Sequence, residues 1–224
     1  MIRLYGSRHS TAARCLWALE EAGVEYEHVA LDVRRGETRS REYLAINPNG
    51  RVPALRDGEL TLFESMAINL YLARHYDGGL KPVTPGDLDL AIMWSFWAAN
   101  EVEALVRQLV RNRLYLPPDE RSEATARRAE QLLEAPIAIL DAHLAERAYL
   151  LGDRFSVADV NVGHGFLWLP AVDLDLSCWP RLADWIERCG ARPAHRRVHG
   201  GSRGVQAGDR IPPGTPDPRG GSLG

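Results

Sequence analysis

The chain lacks any apolar run near the ~18 residues that a membrane-spanning helix needs. Lysine is almost missing as well: Lys81 is the only one, so nearly all of the 27 basic side chains are arginine. Cysteine is scarce, and Cys15, Cys178 and Cys189 show no CxxC or other paired spacing. That scatter argues against a disulfide framework and a zinc site, so no bound metal is expected, and it fits a reducing, cytoplasmic location. The formal net charge of −3 leaves no bias toward nucleic acid or an anionic membrane surface, and neither is expected as a partner. The opening Met-Ile-Arg-Leu-Tyr reads as a strand, not as a signal peptide. There is no internal repeat.

What remains is an ordinary soluble mix, 45% hydrophobic and 25% charged, in 224 residues. That is enough for one large domain or two small ones. The stretch that organises the chain is Asn47-Pro48-Asn49-Gly50-Arg51-Val52-Pro53-Ala54-Leu55, with Phe63-Glu64-Ser65 after it. Asp57-Gly58 between two apolar runs predicts a two-residue hairpin turn, because both residues tolerate positive φ. Strands are therefore expected over 52–56 and 60–63. Pro53 cannot donate to a ladder and belongs at a strand start or an edge. Ser65 opens an apolar run at helical spacing and reads as its N-cap, where free N–H groups bind anions.

Before this stretch, 2–5 reads as a strand, 6–10 as a turn, and 11–22 as a helix closed by Gly23. A second strand follows over 25–31, which makes a βαβ unit with parallel strands. Residues 36–46 read as a short helix with a polar, arginine-rich lead-in. With the hairpin and the helix from Ser65 the order is βαβ then ββα, an α/β thioredoxin-like fold over 1–76. Gly and Pro mark 77–85 as a linker. Thr84, Pro85 and Asp87 then form a strong helix start. An all-α domain is expected over 86–198, with one long helix over 87–114 ended by Pro117-Pro118. A second helix, from Ser122 to 144, puts Leu133, Ile137, Leu140 and Leu144 on one face, with a kink at Pro136. Ser156 and Asp159 read as a capping box with Asp in place of Glu. Residues 199–224 are rich in Gly, Pro and Arg and read as a disordered tail.

The Val52-Pro53 and Glu64-Ser65 pairs resemble the glutathione-binding half of cytosolic glutathione S-transferases, of a bacterial, serine-type, phi- or theta-like kind. Gly152-Asp153-Arg154-Phe155-Ser156-Val157-Ala158-Asp159 is similar to the sixth-helix signature of that family and has a structural role. Trp179-Pro180-Arg181 and Ala191-Arg192-Pro193 continue the resemblance, which covers about 1–198. It implies a cis Val52–Pro53 peptide that presents backbone groups to the cysteinyl part of glutathione, and Glu64 with Ser65 at the γ-glutamyl end. It also implies a homodimer built on the helix after Ser65 and the long helix after Thr84. Glutathione enters as co-substrate, and no cofactor is expected.

A free thiol has a pKa of about 8.5, so such an enzyme must stabilise the thiolate. Lowering that value by about two units requires roughly 2.7 kcal/mol. A hydroxyl donor at a helix N-terminus supplies a charge-assisted hydrogen bond and the helix field together. Ser10 stands there, four residues before Arg14, and the resemblance implies it as the catalytic residue. Thr11 beside it is the alternative. From the residues alone Ser10 is an ordinary cap. Cys15 lies one turn inside the helix and reads as packed, and His9 reads equally as a sulfur contact or as an exposed side chain. Arg39 and Arg51 are candidates for the glycine carboxylate, since Arg offers a bidentate fork. The second substrate is expected to be a small apolar electrophile. Trp94, Trp97 and Glu101 fall at i, i+3 and i+7 on the long helix, and Trp97 with Glu101 is the expected pocket wall. The rival readings are a glutathione-dependent disulfide reductase and a non-catalytic binding module of the same fold.

Overall fold

The computed structural model describes residues 1–33 and 35–199. The first part is a four-stranded sheet in the order β2-β1-β3-β4. Strand β1 (Ile2–Tyr5) leads through helix α1 (Ala12–Ala22) to β2 (Tyr26–Val29), which pairs parallel to β1 with Ile2 opposite Tyr26. Gly23 stops α1 in the left-handed region, φ 66°, with its N–H on the Leu19 carbonyl. A short α2 (Arg41–Leu44) is capped by Ser40, whose hydroxyl accepts from the Tyr43 N–H. Strand β3 (Ala54–Asp57) runs antiparallel to β1, and β4 (Leu60–Phe63) antiparallel to β3.

Two expectations shift here. The hairpin loop is Gly58-Glu59, because Asp57 stays in β3 opposite Leu60, and only Gly58 has positive φ (58°). The strand starts at Ala54, so Val52 and Pro53 precede the ladder. Asp57 is held in place by helix α3 (Ser65–His75) and the residue after it, since Tyr71 and Tyr76 both donate to its Oδ2. That pair draws on a tertiary partner, which a reading of turn propensity does not contain.

The second part is helical. Helix α4 (Pro85–Trp97) begins with the expected box: Thr84 Oγ1 accepts from Asp87 N, and Asp87 Oδ2 accepts from Thr84 N. The long rod continues through a π turn (Ala98–Val102), α5 (Glu103–Val110) and a second π turn (Arg111–Tyr115). Helix α6 (Glu123–His143) is capped by Ser122 and continues through Pro136. Its Leu133, Ile137 and Leu140 are buried, as is Leu144 just beyond it. Helix α7 (Val157–Phe166) is buried along its whole length, and α8 (Pro180–Gly190) and α9 (Pro193–His199) close the domain. His199 is thus helical, one residue beyond the expected end of this part; the rest of the expected tail, 200–224, lies outside the described residues.

One apolar core crosses both parts. Leu4, Leu16, Trp17 and Leu72 from the first join Leu109, Leu133, Val160 and Phe166 from the second. Asp159 anchors the helical part: its carboxylate accepts from Leu150 N (2.9 Å), Ser156 N (2.9 Å), Ser156 Oγ (3.0 Å) and Trp185 Nε1 (2.9 Å). Four donors are what a fully buried carboxylate needs.

Candidate active site

The site grows from the loop after β1. Gly6 sits at φ 140°, and a Cβ there would lie 2.6 Å from Ala12 Cβ and 3.2 Å from Val52 Cβ. Only glycine lets the loop pass that close to both. His28 Nε2 lies 2.7 Å from the Gly6 carbonyl and holds the turn from below. Ser10 is half-buried; its Oγ donates to the Ser7 carbonyl (2.7 Å) and accepts from Ala12 N (3.2 Å). Ser10 therefore caps α1 with its oxygen, although Thr11 stands at the formal cap position without a side-chain capping bond. Thr11 Oγ1 instead donates to the Val52 carbonyl (3.1 Å). The two hydroxyls differ in role: one belongs to the helix start, the other ties the loop to Val52.

The Val52–Pro53 peptide is cis. The chain just before it is fixed from one side, since Tyr43 Oη (2.6 Å) and Asn47 Nδ2 (2.7 Å) both donate to the Arg51 carbonyl. Pro53 is buried, Val52 half-buried and Arg51 exposed. Arg39 is exposed too, and its Nη1 reaches the Asn49 carbonyl at 3.5 Å. A Cβ on Gly50, which has φ 59°, would lie 2.7 Å from that nitrogen. Both arginines therefore border the Asn47–Arg51 turn, with Arg39 laid over its glycine.

At the start of α3 the structure corrects the cap. The cap position is Glu64, at φ 72° and ψ 111°, and it makes no side-chain capping bond. Positive φ in a non-glycine residue is costly and concentrates at functional sites. Ser65 is the first helical residue and is buried; its Oγ accepts from Arg14 Nη1 at 2.9 Å. Arg14 is itself buried, and its Nη2 pairs with Glu103 of α5. Neither partnership was expected from the sequence. In the sequence Arg14 stands out only by its spacing from Ser10 and Glu103 carries no signal; a buried arginine that needs a carboxylate is visible only once α1, α3 and α5 are packed.

The face Trp94–Trp97–Glu101 does not survive as one stripe. Trp94 is buried, Trp97 half-buried and edge-on to Trp94 at 5.0 Å, and Glu101 exposed. The π turn at Ala98–Val102 takes more residues per turn than an α-helix, so a spacing counted at 3.6 residues per turn goes out of phase there. Glu103, not Glu101, then faces α1.

His9 is exposed, and its N–H is held by Ser7 Oγ at 3.1 Å. Cys15 is fully buried and its Sγ lies 3.4 Å from the Ser65 carbonyl. Burial pushes that thiol far above its ordinary range, which removes it as a nucleophile. Among the described residues no group of three or more His, Cys, Asp or Glu is placed to hold a metal ion. No helix among them is long and apolar enough to cross a membrane.

The hydrogen bonds of Thr11 and Arg14 draw three parts together around the start of α1: the hydroxyl of Ser10, the backbone at Val52–Pro53, and Ser65. Such an arrangement can hold an anionic peptide by its backbone on one side and set a sulfur against a helix N-terminus on the other.

Comparison with known proteins agrees with this geometry. The family model for the glutathione S-transferase N-terminal domain matches residues 1–74, and that for the C-terminal domain residues 110–193. A probable glutathione S-transferase of Oryza sativa subsp. japonica is 37% identical over 208 residues, covering 88% of this chain and 95% of that protein. The glutathione S-transferase GstB of Escherichia coli K12 is 35% identical over 204 residues, covering 88% of this chain and 97% of that one. Among solved structures, a theta class glutathione S-transferase from Xanthomonas axonopodis pv. citri with glutathione bound superposes with a TM-score of 0.82 at 34% identity, covering 88% of this chain and 96% of that one.

Proposed function

The chain belongs to the glutathione S-transferase family, and from that premise we propose that it joins the thiolate of glutathione to a small apolar electrophile. The observation that carries this reading is the double tie at the start of α1, Thr11 to the Val52 carbonyl and Arg14 to Ser65. It brings a half-buried hydroxyl, the backbone at the cis Val52–Pro53 peptide and a helix start at positive φ together around the start of α1.

Within it, Val52 and Pro53 meet the cysteinyl backbone, Glu64 and Ser65 take the γ-glutamyl end, and Arg39 with Arg51 takes the glycine carboxylate. Ser10 turns its hydroxyl from the Ser7 carbonyl to the sulfur and donates to the thiolate. The helix field and that hydrogen bond act on the charged form and lower the thiol pKa. His9 is close enough on the loop to add a contact. The thiolate then attacks an electrophilic carbon, with the half-buried Trp97 bordering the second substrate. The first loop holds no cysteine, and Cys15 at the start of α1 is sealed in the core, so no thiol stands beside Ser10 to form a mixed disulfide with glutathione; conjugation is favoured over disulfide reduction. A detoxifying, cytoplasmic role follows from that chemistry. No cofactor beyond the co-substrate is called for.

The chain also acts as a homodimer. Leu90, Ile92, Met93 and Phe96 of α4 are exposed, and Leu60 and Phe63 of β4 add to the apolar surface. Helix α3 buries Ile68 and Leu72 on its inner face and keeps Met66, Leu70 and Tyr71 half-buried.

The test is binding of glutathione by calorimetry, then thiolate absorbance of the bound tripeptide across pH, then turnover of aryl halides, epoxides and isomerisable dienes. Binding with a thiol pKa well under 8.5 and turnover of one electrophile is the expected result. Binding without thiolate formation would leave a non-catalytic module.

A further inference from the structure

A cluster of imidazoles lies where α9 packs on α1, away from the parts assigned to glutathione. His195 and His199, one turn apart on α9, stack at 4.3 Å between ring centroids. His164 of the buried α7 lies 6.4 Å from His199. His195 also meets the edge of Trp17 on α1 at 4.9 Å. His199 Nε2 is buried and has no hydrogen-bond partner.

The charges around these rings are nearly all positive. Arg8 and His9 of the first loop face His199, and Arg14 of α1, paired with Glu103 of α5, faces His164. The carboxylates of α1 nearest to α9 are already engaged. Glu20 is held by Arg197 (2.6 Å) and Tyr26 (2.8 Å). Glu21 is held by Arg192 (2.6 and 2.7 Å) and Trp17 Nε1 (3.0 Å). From α8 the Gly190 backbone favours the charged form of His195, an effect smaller than the opposing one of burial. Of the charged groups on α8, Arg181 is turned to Asp141 and Arg188 to the Ala148 carbonyl, and Asp184 and Glu187 are exposed.

The same helix end is tied to the loop that carries Ser10. Arg8 Nη1 donates to the carbonyls of Arg197 (3.4 Å) and Val198 (3.5 Å). Arg8 is two residues from Ser10, so α9 and the loop form one unit.

We propose that α9 is an acid-releasable strap, in which protonation of the His164–His195–His199 cluster expels α9 from α1 and loosens the loop that carries Ser10. The physical cause is that, among the described residues, the carboxylates nearest these rings are already paired and the new charges arise beside Arg8 and Arg14. Burial holds the His164 and His195 rings below the ordinary imidazole range and brings His199 down to about 4. A ring whose pKa is lower in the docked state than when released contributes docking stability above about pH 6.5, and that stability is lost as pH falls from there toward the docked value. For His199 alone, docked at about 4 and released at about 6.5, the opening equilibrium grows about thirtyfold between pH 7.5 and pH 5.

The test is hydrogen exchange of the full chain without glutathione, corrected for intrinsic pH dependence, from pH 7.5 to 4.5. Peptides of α9 and of the first loop should gain exchange together, by about thirtyfold or more at pH 5, while those of α6 stay protected. His199→Phe, which keeps a stacked ring without a titrating nitrogen, should move this release to lower pH. His199→Gln gives the same readout if the Phe variant loses its helical signal at pH 7.5. Exchange in α9 that is flat with pH, or that rises only in step with α6, overturns the proposal. Acid release unchanged in both variants overturns it as well. Because no ligand is present, the outcome is independent of whether glutathione is the substrate.

Discussion

Arg14 donates from Nη1 to Ser65 Oγ across 2.9 Å, inside the protein, and so couples α1, capped by the Ser10 oxygen, to α3, whose cap position is Glu64. The other end of the same guanidinium pairs with Glu103 in the helical part. One side chain thus sets the relation of the two halves of the site and of the two domains.

Replacing Arg14 by Met should leave Glu103 without its partner and Ser65 without its donor. Breaking a buried pair from one side costs about 3 kcal/mol. The variant should unfold at correspondingly lower urea, and KM for glutathione should rise more than kcat falls. Arg14→Met with Glu103→Gln should recover part of the stability but not the KM. A double variant no better than the single one would contradict the pairing.

Ser10 and Thr11 should separate by what they change. Ser10→Ala should raise the pKa of bound glutathione by about one to two units, roughly 1.4–2.7 kcal/mol, with turnover at neutral pH down about ten- to a hundredfold. Thr11→Val removes the bond to the Val52 carbonyl and should weaken glutathione binding with the thiol pKa in place. The pH–rate profiles decide it. If the Thr11 variant moves the profile and the Ser10 variant does not, the sulfur partner is Thr11; if neither moves it, helix amides or His9 set the thiolate.

Asp57 should make the protein acid-sensitive in a defined window. The Tyr76 hydroxyl, more than that of Tyr71, holds its carboxyl below the ordinary value of 3.8. A carboxylate with a depressed pKa contributes stability above its unfolded pKa and loses it as pH falls through the folded one. Asp57→Asn should therefore be less stable than the parent at pH 7, by about 1 kcal/mol, and the gap should narrow progressively as pH falls below 3.8. Denaturation midpoints at pH 7 and pH 3 measure this.

Phe96, 66% exposed on α4, is the most exposed large apolar residue of that helix. If the α4 face joins two copies, Phe96→Glu should turn a dimer into a monomer by light scattering at micromolar concentration, with the far-ultraviolet spectrum unchanged. A parent chain that is already monomeric would remove the homodimer.

Some of this was written in the sequence because its causes are local. The Thr84–Asp87 and Ser156–Asp159 boxes each close over three residues, and Gly23 ends α1 by its own left-handed backbone. Apolar spacing marked Leu133, Ile137 and Leu140 as one buried face, since α6 keeps an even period there. The positions of Val52-Pro53 and Glu64-Ser65 were legible for the same reason: each motif is two adjacent residues. The tertiary structure alone decided what those residues touch. It moved the cap of α3 from Ser65 to Glu64, because Ser65 is drawn inward by an arginine 51 positions away in sequence. It turned the face of the long rod at Ala98–Val102, where a π turn breaks the period that spacing assumes. And it gathered three histidines from α7 and α9 against Arg8 and Arg14, a charge environment that exists only when distant segments share one interior.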